Sequence, residues 1–261
     1  MRIMTTNIWG DYFGNPVDIR LDGIFSVYET YDPDVIGLQE ITPGWYNSKL
    51  FSRLSEKYRL IGTKLTDNFN FVPMAVKKEF QLLADGYEFL FETPDVTKAI
   101  TWAVLTDPKS GKTFAVCNTH FWWMYIGTRE HDAIREKNAH QLSSLMKYLH
   151  DRFACPVFAF GDMNTTCTSG VFEVVYPLHH VEQLFTLAAE KDDVSSYHGD
   201  PVADEKGFYH GKTTENDHTG SIDHIMGMGE GYRVKEYRIV TDQSVLDATD
   251  HSPVYADIEW L

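Results

Sequence analysis

The sequence predicts an α/β or α+β domain built around large sheets. Three observations point there. Short apolar runs recur along all 261 residues, helical periodicity is confined to a few separated segments, and no repeat, linker or low-complexity stretch divides the chain. A chain of this length sits at the upper end of the single-domain range and can bury a large core, so residues 1–261 are expected to form one domain. Hydrophobic residues make up 43% and aromatics 14%, enough to offset the entropy lost on ordering the backbone.

The elements follow in chain order. Residues 1–8 read as a strand, and so does the apolar run at 34–40, which ends in Gln39-Glu40. Further strand-like runs lie at 72–77, 101–106, 113–119, 156–161, 221–228 and Val254–Trp260. Helices are expected at 18–31, 43–57 and 129–150. In the last of these Ile134, Leu142, Leu145, Met146 and Leu149 fall largely on one face at helical spacing. Residues 192–216, rich in Gly, Asp, Ser and His, read as a long loop of the kind that often carries function. Runs that are apolar throughout do not reveal how many layers cover them.

Charge and cysteine content narrow the function. Lysine and arginine total 23 against 38 acidic residues, a net charge of −15. A protein that grips nucleic acid by neutralising phosphates needs a basic stripe, and Lys77-Lys78 and Arg135-Glu136-Lys137 fall short of one. Long polyanions are therefore disfavoured as substrates. Cys117, Cys155 and Cys167 are too few and too unevenly placed for a disulfide framework, and Cys117 and Cys155 are expected as buried free thiols. No apolar run reaches the length of a membrane span. No signal segment opens the given sequence, which places the protein in the cytoplasm unless a leader has been removed.

The informative pattern is where the apolar runs stop. Asn7, Glu40 and Asn118-Thr119-His120 end the first three. The fourth runs into Gly161-Asp162-Met163-Asn164, the fifth contains Asp223-His224, and Asp250-His251-Ser252-Pro253 precedes the last strand. Taken singly, Asp162 and Asn164 read as a turn, Asp250-His251 as a loop before a strand, and His120 as a satisfied buried histidine. Asp223 within an apolar strand is harder to dismiss, because a buried charge needs a partner. Glu40, Asp162, Asp223 and Asp250 would repel one another if they met, and a hard cation with oxygen ligands would relieve that repulsion. No Cys or His cluster has zinc spacing, so magnesium is favoured, with manganese a fit for the same ligands.

In their order and spacing these six motifs resemble the endonuclease/exonuclease/phosphatase superfamily, from residue 3 to residue 258. The resemblance implies a four-layer α/β/β/α sandwich of two packed mixed sheets, with the site at one end, and a metal-dependent phosphodiesterase or phosphatase activity. Glu40 would bind the metal, with Asn7 and Asp250 as direct or water-mediated ligands. His251 would be the general base, oriented by Asp223, and Asp162 would help place the nucleophile. Asn164 would donate to a phosphoryl oxygen, and His120 would donate to phosphate or protonate the leaving oxygen. Two positions depart from the pattern. Asn70 stands near a place where many relatives carry a glutamate supporting the first histidine, and His224 stands where tyrosine is common. Alternation turns His224 away from the face of Asp223, so it is expected to be structural.

Aromatics flank the motifs: Trp9, Tyr12 and Phe13 after the first strand, and Phe121, Trp122, Trp123 and Tyr125 after His120. Packing beneath loops is the simpler reading. Trp9 and Trp122 are the candidates for a wall that stacks on substrate. The leading expectation is hydrolysis of a small or medium phosphorylated molecule. A nuclease is the alternative within the enzyme class, and a non-catalytic binding protein on the same scaffold is the alternative outside it.

Overall fold

A strand whose two faces are both apolar has to be covered on both, and most strands here are of that kind. In β1 (Arg2–Asn7) Ile3 and Met4 point to opposite sides and both are buried. The structure is a computed structural model that describes residues 1–63, 69–91, 93–213 and 217–261. After β1 come β2 (Val35–Gln39), β3 (Tyr58–Ile61), β4 (Met74–Lys77), β5 (Gln81–Phe89), β6 (Ala99–Thr106), β7 (Thr113–His120) and β8 (Val157–Asp162). Then follow β9 (Glu182–Gln183), β10 (Glu190–Lys191), β11 (Val202–Ala203), β12 (Tyr209–His210), β13 (Asp223–Met228), β14 (Tyr232–Ile239) and β15 (Val254–Trp260). The helices are α1 (Leu21–Tyr31), α2 (Pro43–Asn47), α3 (Leu50–Lys57), α4 (Arg129–Phe153), α5 (Gly170–Leu178), α6 (Leu184–Leu187) and α7 (Gln243–Leu246).

Two mixed sheets result. The first runs β10-β14-β15-β1-β2-β4-β3 and the second β5-β6-β7-β8-β13-β9. Three hydrophobic clusters show how they stack. One joins the inner faces of the sheets through Ile3, Val35, Phe114, Val116, Phe158 and Phe160. A second lies between the first sheet and α1–α3, around Met4, Ile36, Ile24 and Leu54. The third packs Ala115, Cys117 and Ala159 of the second sheet against Leu142, Met146 and Leu149 of α4. Three core interfaces require four layers, and the fold is the α/β/β/α sandwich. Among the described residues no helix is long and apolar enough to cross a membrane.

The differences from expectation have local causes. The segment 43–57 is two helices, α2 and α3, because Ser48 is extended (φ −76°, ψ −178°) and interrupts the helical hydrogen bonding. The first helix begins at Leu21 rather than 18, after Arg20 turns inward. Strands β3, β5 and β14 and helix α5 carry no strong signal. β5 is an edge strand with a partly exposed pattern, and β14 has a bulge between Val234 and Glu236 that shifts its alternation. Among its described residues the expected loop at 192–216 holds the short β11–β12 pair and an isolated bridge at Tyr197, and its residues 214–216 lie outside the described residues.

The sheets are stitched together near the functional end. Asn118 of β7 donates through Nδ2 to the carbonyls of Leu38, Val72 and Pro73, at 2.9–3.0 Å, and accepts from Gln39 Nε2 at 2.5 Å. Gly37 makes room for this crossing: a Cβ there would lie 2.6 Å from Asn118 Oδ1 and 2.4 Å from the Phe160 ring.

Candidate active site

Strand register assembles half of the site. β7 runs parallel to β8 with His120 beside Asp162, and β13 runs antiparallel to β8 with Asp223 on its other side. Neighbouring strands are about 4.8 Å apart, so the three side chains form one row across the end of the second sheet. Gly161 allows the row to close, since a Cβ there would meet the Thr119 carbonyl oxygen at 1.9 Å. All three side chains are buried. Two buried carboxylates on adjacent strands are costly unless cations and donors reach them.

Those partners come from elsewhere in the chain. His251, in the turn before β15, places Nδ1 at 2.7 Å from Asp223 Oδ2. Its Nε2 lies 3.8 Å from Asp162 Oδ2 and 3.9 Å from Asp250 Oδ2, beyond hydrogen-bonding range of both. His120 Nε2 is 3.3 Å from Asp162 Oδ2, and Asn7 Nδ2 donates to the same oxygen at 3.0 Å. The electrostatics follow from this ring. Burial would raise the Asp162 carboxyl, but His120, His251 and Lys98 hold it well below the usual carboxylate range. Burial would lower His251, but Asp223, Asp250 and Asp162 push it well above its ordinary value.

The first sheet brings the other carboxylates. Glu40 leaves β2 in the left-handed region (φ 61°), as does Trp9 after β1 (φ 55°). Such conformations cost about 1–2 kcal/mol for a residue with a side chain and persist only where surroundings enforce them. Here Asn7 Nδ2 donates to Glu40 Oε1 at 3.3 Å, Gly10 N–H to Oε2 at 2.8 Å, and Trp9 N–H to Asn7 Oδ1 at 3.1 Å. Buried Arg20 clamps this loop by donating to the carbonyls of Ile8, Trp9, Pro16 and Ala248 at 2.7–3.0 Å. Burial lowers its pKa to about 10, against the pull of Tyr209, Asp250, Glu40 and Asp11. Asp250 sits near Glu40 and is pushed up to about 7, chiefly by burial and then by the charges of Glu40 and Asp200, against the pull of His251.

Asn164 takes a left-handed conformation (φ 48°), with its N–H on Asp162 Oδ1 at 2.9 Å and one amide N–H on the Phe121 carbonyl at 3.2 Å. Trp9 and Trp122 are both buried. Trp9 meets the edge of Tyr209, and Trp122 donates its indole N–H to His131 Nδ1 at 2.8 Å. The loop carrying Trp122 is pinned by Arg135, whose Nη1 donates to the carbonyls of Trp122 and Met124. Tyr12, Trp123 and Tyr125 are exposed, and the side chain of Phe13 lies outside the described residues.

Asn70 does not support His120. Its amide donates to the Gly62 carbonyl and Thr101 Oγ1, and the neighbour of His120 is Lys98, whose Nζ is 2.9 Å from Nε2. Lys98 is buried, and that burial lowers its pKa despite the charges of Glu40, Asp162 and Asp95. His224 points away from the site, with Nε2 2.8 Å from the Thr165 carbonyl and its ring against Phe172. Lys98, Arg20, Ser196 and Tyr197 are the neighbours of the site that pattern reasoning missed. Lys98 merely precedes a strand in sequence, and the others sit in turns and loops.

One group of possible metal ligands is Asp162, Asp223 and His251, whose ligand atoms lie within 4.8 Å of one another. Two of the three are committed to each other, because Asp223 Oδ2 receives His251 Nδ1. Asp250, a further buried carboxylate beside this group, is raised by burial first and then by the charges of Glu40 and Asp200.

Comparison with known proteins identifies the family. The model of the endonuclease/exonuclease/phosphatase family matches residues 4–251. The chain belongs to that family. Its members are hydrolases that act on phosphate esters. Among curated proteins, no sequence matches this chain. Similar solved structures include an endonuclease/exonuclease/phosphatase from Bacteroides vulgatus, with 23% identity, TM-score 0.77, and coverage of 100% of this chain and 98% of that one. The mannosyl-6-phosphatase Bt3783 of Bacteroides thetaiotaomicron matches at 18% identity and TM-score 0.76, with 100% of both chains covered. The human nocturnin catalytic domain with bound sulfate matches at 15% identity and TM-score 0.74, covering 100% of this chain and 94% of that one. At these identities the likeness speaks for the fold.

Proposed function

We propose that this family member hydrolyses a phosphate ester of a small or medium-sized molecule, with His251 as the base. The observation that carries the reading is the two-sided environment of that imidazole. Nδ1 is held by Asp223, while Nε2 faces the carboxylate cluster without a hydrogen bond. A base oriented at one nitrogen and free at the other is what water activation needs. In the proposed reaction His251, neutral once a bound cation would offset the carboxylates that raise its pKa, takes a proton from water at Nε2 as the new O–P bond forms and the ester O–P bond breaks. Asp223 stabilises the imidazolium, and Asp162 helps place the water. The remaining amide N–H of Asn164, with Lys98 and His120, faces the phosphoryl oxygens. His120 serves there as phosphate donor or as the acid for the leaving oxygen.

Glu40 and Asp250 would hold a divalent cation, magnesium by the hardness of their oxygens and manganese as a substitute. Asn7, whose amide N–H groups go to Glu40 and Asp162, would act on the cation through Glu40 or through water. When bound, the cation supplies charge neutralisation for the phosphoryl group.

Several features favour a compact substrate over a nucleic-acid strand. The chain carries a net charge of −15, and Asp11, Asp95 and Asp200 add negative charge around the half-exposed Tyr12 and Tyr197. Flanking phosphates of a polynucleotide would be repelled there. A neutral hydroxylated group could donate to the carboxylates and lie against the rings. The fold neighbour named as a mannosyl-6-phosphatase makes sugar phosphates the first class to try. The sulfate in nocturnin shows a tetrahedral anion on the same fold. A panel of sugar phosphates, diesters, plasmid and short RNA, assayed with magnesium and with chelator, tests the reading. Turnover of small esters abolished by chelator supports it. Preferential cutting of plasmid or RNA would make the protein a nuclease, and magnesium binding with no turnover at all would make it a binding protein.

A further inference from the structure

We propose that Ser196 is a positioning residue for the hydrolytic site, fixing the Asp223 carboxylate and through it the His251 ring. The inference rests on the hydrolase reading and adds a residue that the motifs do not contain. Ser196 is fully buried. Its Oγ lies 2.8 Å from Asp223 Oδ2, the same oxygen that receives His251 Nδ1.

The direction of the hydroxyl is settled by counting. A serine hydroxyl has one proton to donate and two lone pairs. Both lone pairs are taken, by the N–H of Ile222 at 3.2 Å and the N–H of Asp223 at 3.1 Å. The proton is left for Asp223 Oδ2, which accepts only. The backbone of Ser196 is held as firmly. Its N–H donates to Ser221 Oγ at 2.9 Å, and its carbonyl accepts from Ser252 N–H at 2.6 Å.

The neighbours of Ser196 extend the grip. Tyr197 forms an isolated antiparallel bridge with His251 and sets its ring edge-on to the imidazole, 5.0 Å between centroids. The N–H of His198 donates to the Asp250 carbonyl at 3.0 Å. Three consecutive residues therefore touch the orienting carboxylate, the base, and the backbone carbonyl of the residue before the base. The segment ties the start of β13 to the turn before β15, which belong to different sheets. Without it, Asp223 could rotate its carboxylate and His251 could leave the orientation that aims Nε2 at the water.

Ser196→Ala, Ser196→Cys and Ser196→Thr test this in the full chain. A positioning role predicts that kcat falls about tenfold in the alanine variant, with KM within about twofold, since one charge-assisted hydrogen bond is lost at the base–orienter pair and not at the substrate. Cysteine, close in size but a weak donor, should fall nearly as far, and threonine should recover at least half of the loss. A second readout needs no turnover. The low-field proton resonance of His251 Nδ1–H, identified by its disappearance in His251→Ala, should shift or broaden in the alanine and cysteine variants and persist in the threonine variant. Wild-type kcat and an unmoved resonance in both the alanine and the cysteine variants would overturn the proposal. So would losses of kcat that track melting temperature across all three variants. A wild-type protein inactive on every ester would remove the hydrolase reading, and the resonance would still decide whether Ser196 holds the pair.

Discussion

The two ends of the first sheet carry the same kinds of side chain and use them in opposite ways. Where β1 and β2 begin, each charge meets its opposite. Arg2 forks onto Asp257 at 2.7 and 2.8 Å, and Lys77 reaches Asp34 at 2.8 Å and Asp32 at 3.1 Å. The Asp257 hydrogen bond raises Arg2, and Asp34 and Asp32 raise Lys77 against the effect of its partial burial. Where the same strands finish, like charges are crowded. Burial and Glu40 push Asp250 up to about 7, and burial pushes Lys98 down. One end is made of opposite charges in contact, while at the other burial, with neighbouring carboxylates second, holds Asp250 away from its ordinary value. That contrast separates structural charge from functional charge more clearly than the identity of any one residue.

The contrast can be broken by substitution, and the largest effect is expected at the crowded end. His251→Ala should lower turnover of the best ester by about 10³-fold, since a positioned base contributes 10²–10⁴, in a variant that still melts cooperatively though at a lower temperature, because Asp223 loses its buried partner. Retained turnover would remove His251 as the base. Arg20→Leu leaves four backbone carbonyls near the site without their donor and should cost about 3 kcal/mol in chemical denaturation, with activity lost as the loop at Trp9 loosens.

Asp250→Asn should act in the opposite sense on stability. Its folded pKa of about 7 lies above the ordinary value of 3.8, so its contribution is fully present below the lower value and is lost as pH rises through the upper one. Without divalent metal, the wild type should therefore lose stability between about pH 4 and pH 7 through this group, and the asparagine variant should be more stable at pH 8 by about 1–3 kcal/mol. Its activity should fall at the same time. A destabilised variant at pH 8 would refute the crowding. The smallest effect belongs to the paired end. Arg2→Ala removes a partly exposed ion pair and should cost about 1 kcal/mol or less, with turnover intact.

How much of this was legible in sequence depended on what buries each residue. Strands β7, β8 and β15 showed as apolar runs because both faces are covered, and Asp162 and Asp223 stood out as charges within or ending such runs. Glu40 and His251 were legible through the order of the motifs. β5 was hidden by its exposed edge, and the bulge in β14 broke the alternation that would have revealed it. Lys98, Ser196 and Arg20 resemble solvated residues because the contacts that bury them are remote: Arg20 meets Ala248, 228 positions away, and Ser196 meets Asp223 across 27. Local pattern does not encode such partners. The group beside His120 is hidden for the same reason, since Lys98 comes from a loop 22 residues upstream of it.

Titration calorimetry with magnesium, on the wild type and on a Glu40→Gln/Asp250→Asn double variant, addresses the crowded carboxylates most directly. One binding event in the wild type, absent from a double variant that still melts cooperatively, is the predicted result. Equal magnesium binding by both proteins, or none by the wild type, would show that these two carboxylates do not hold the cation.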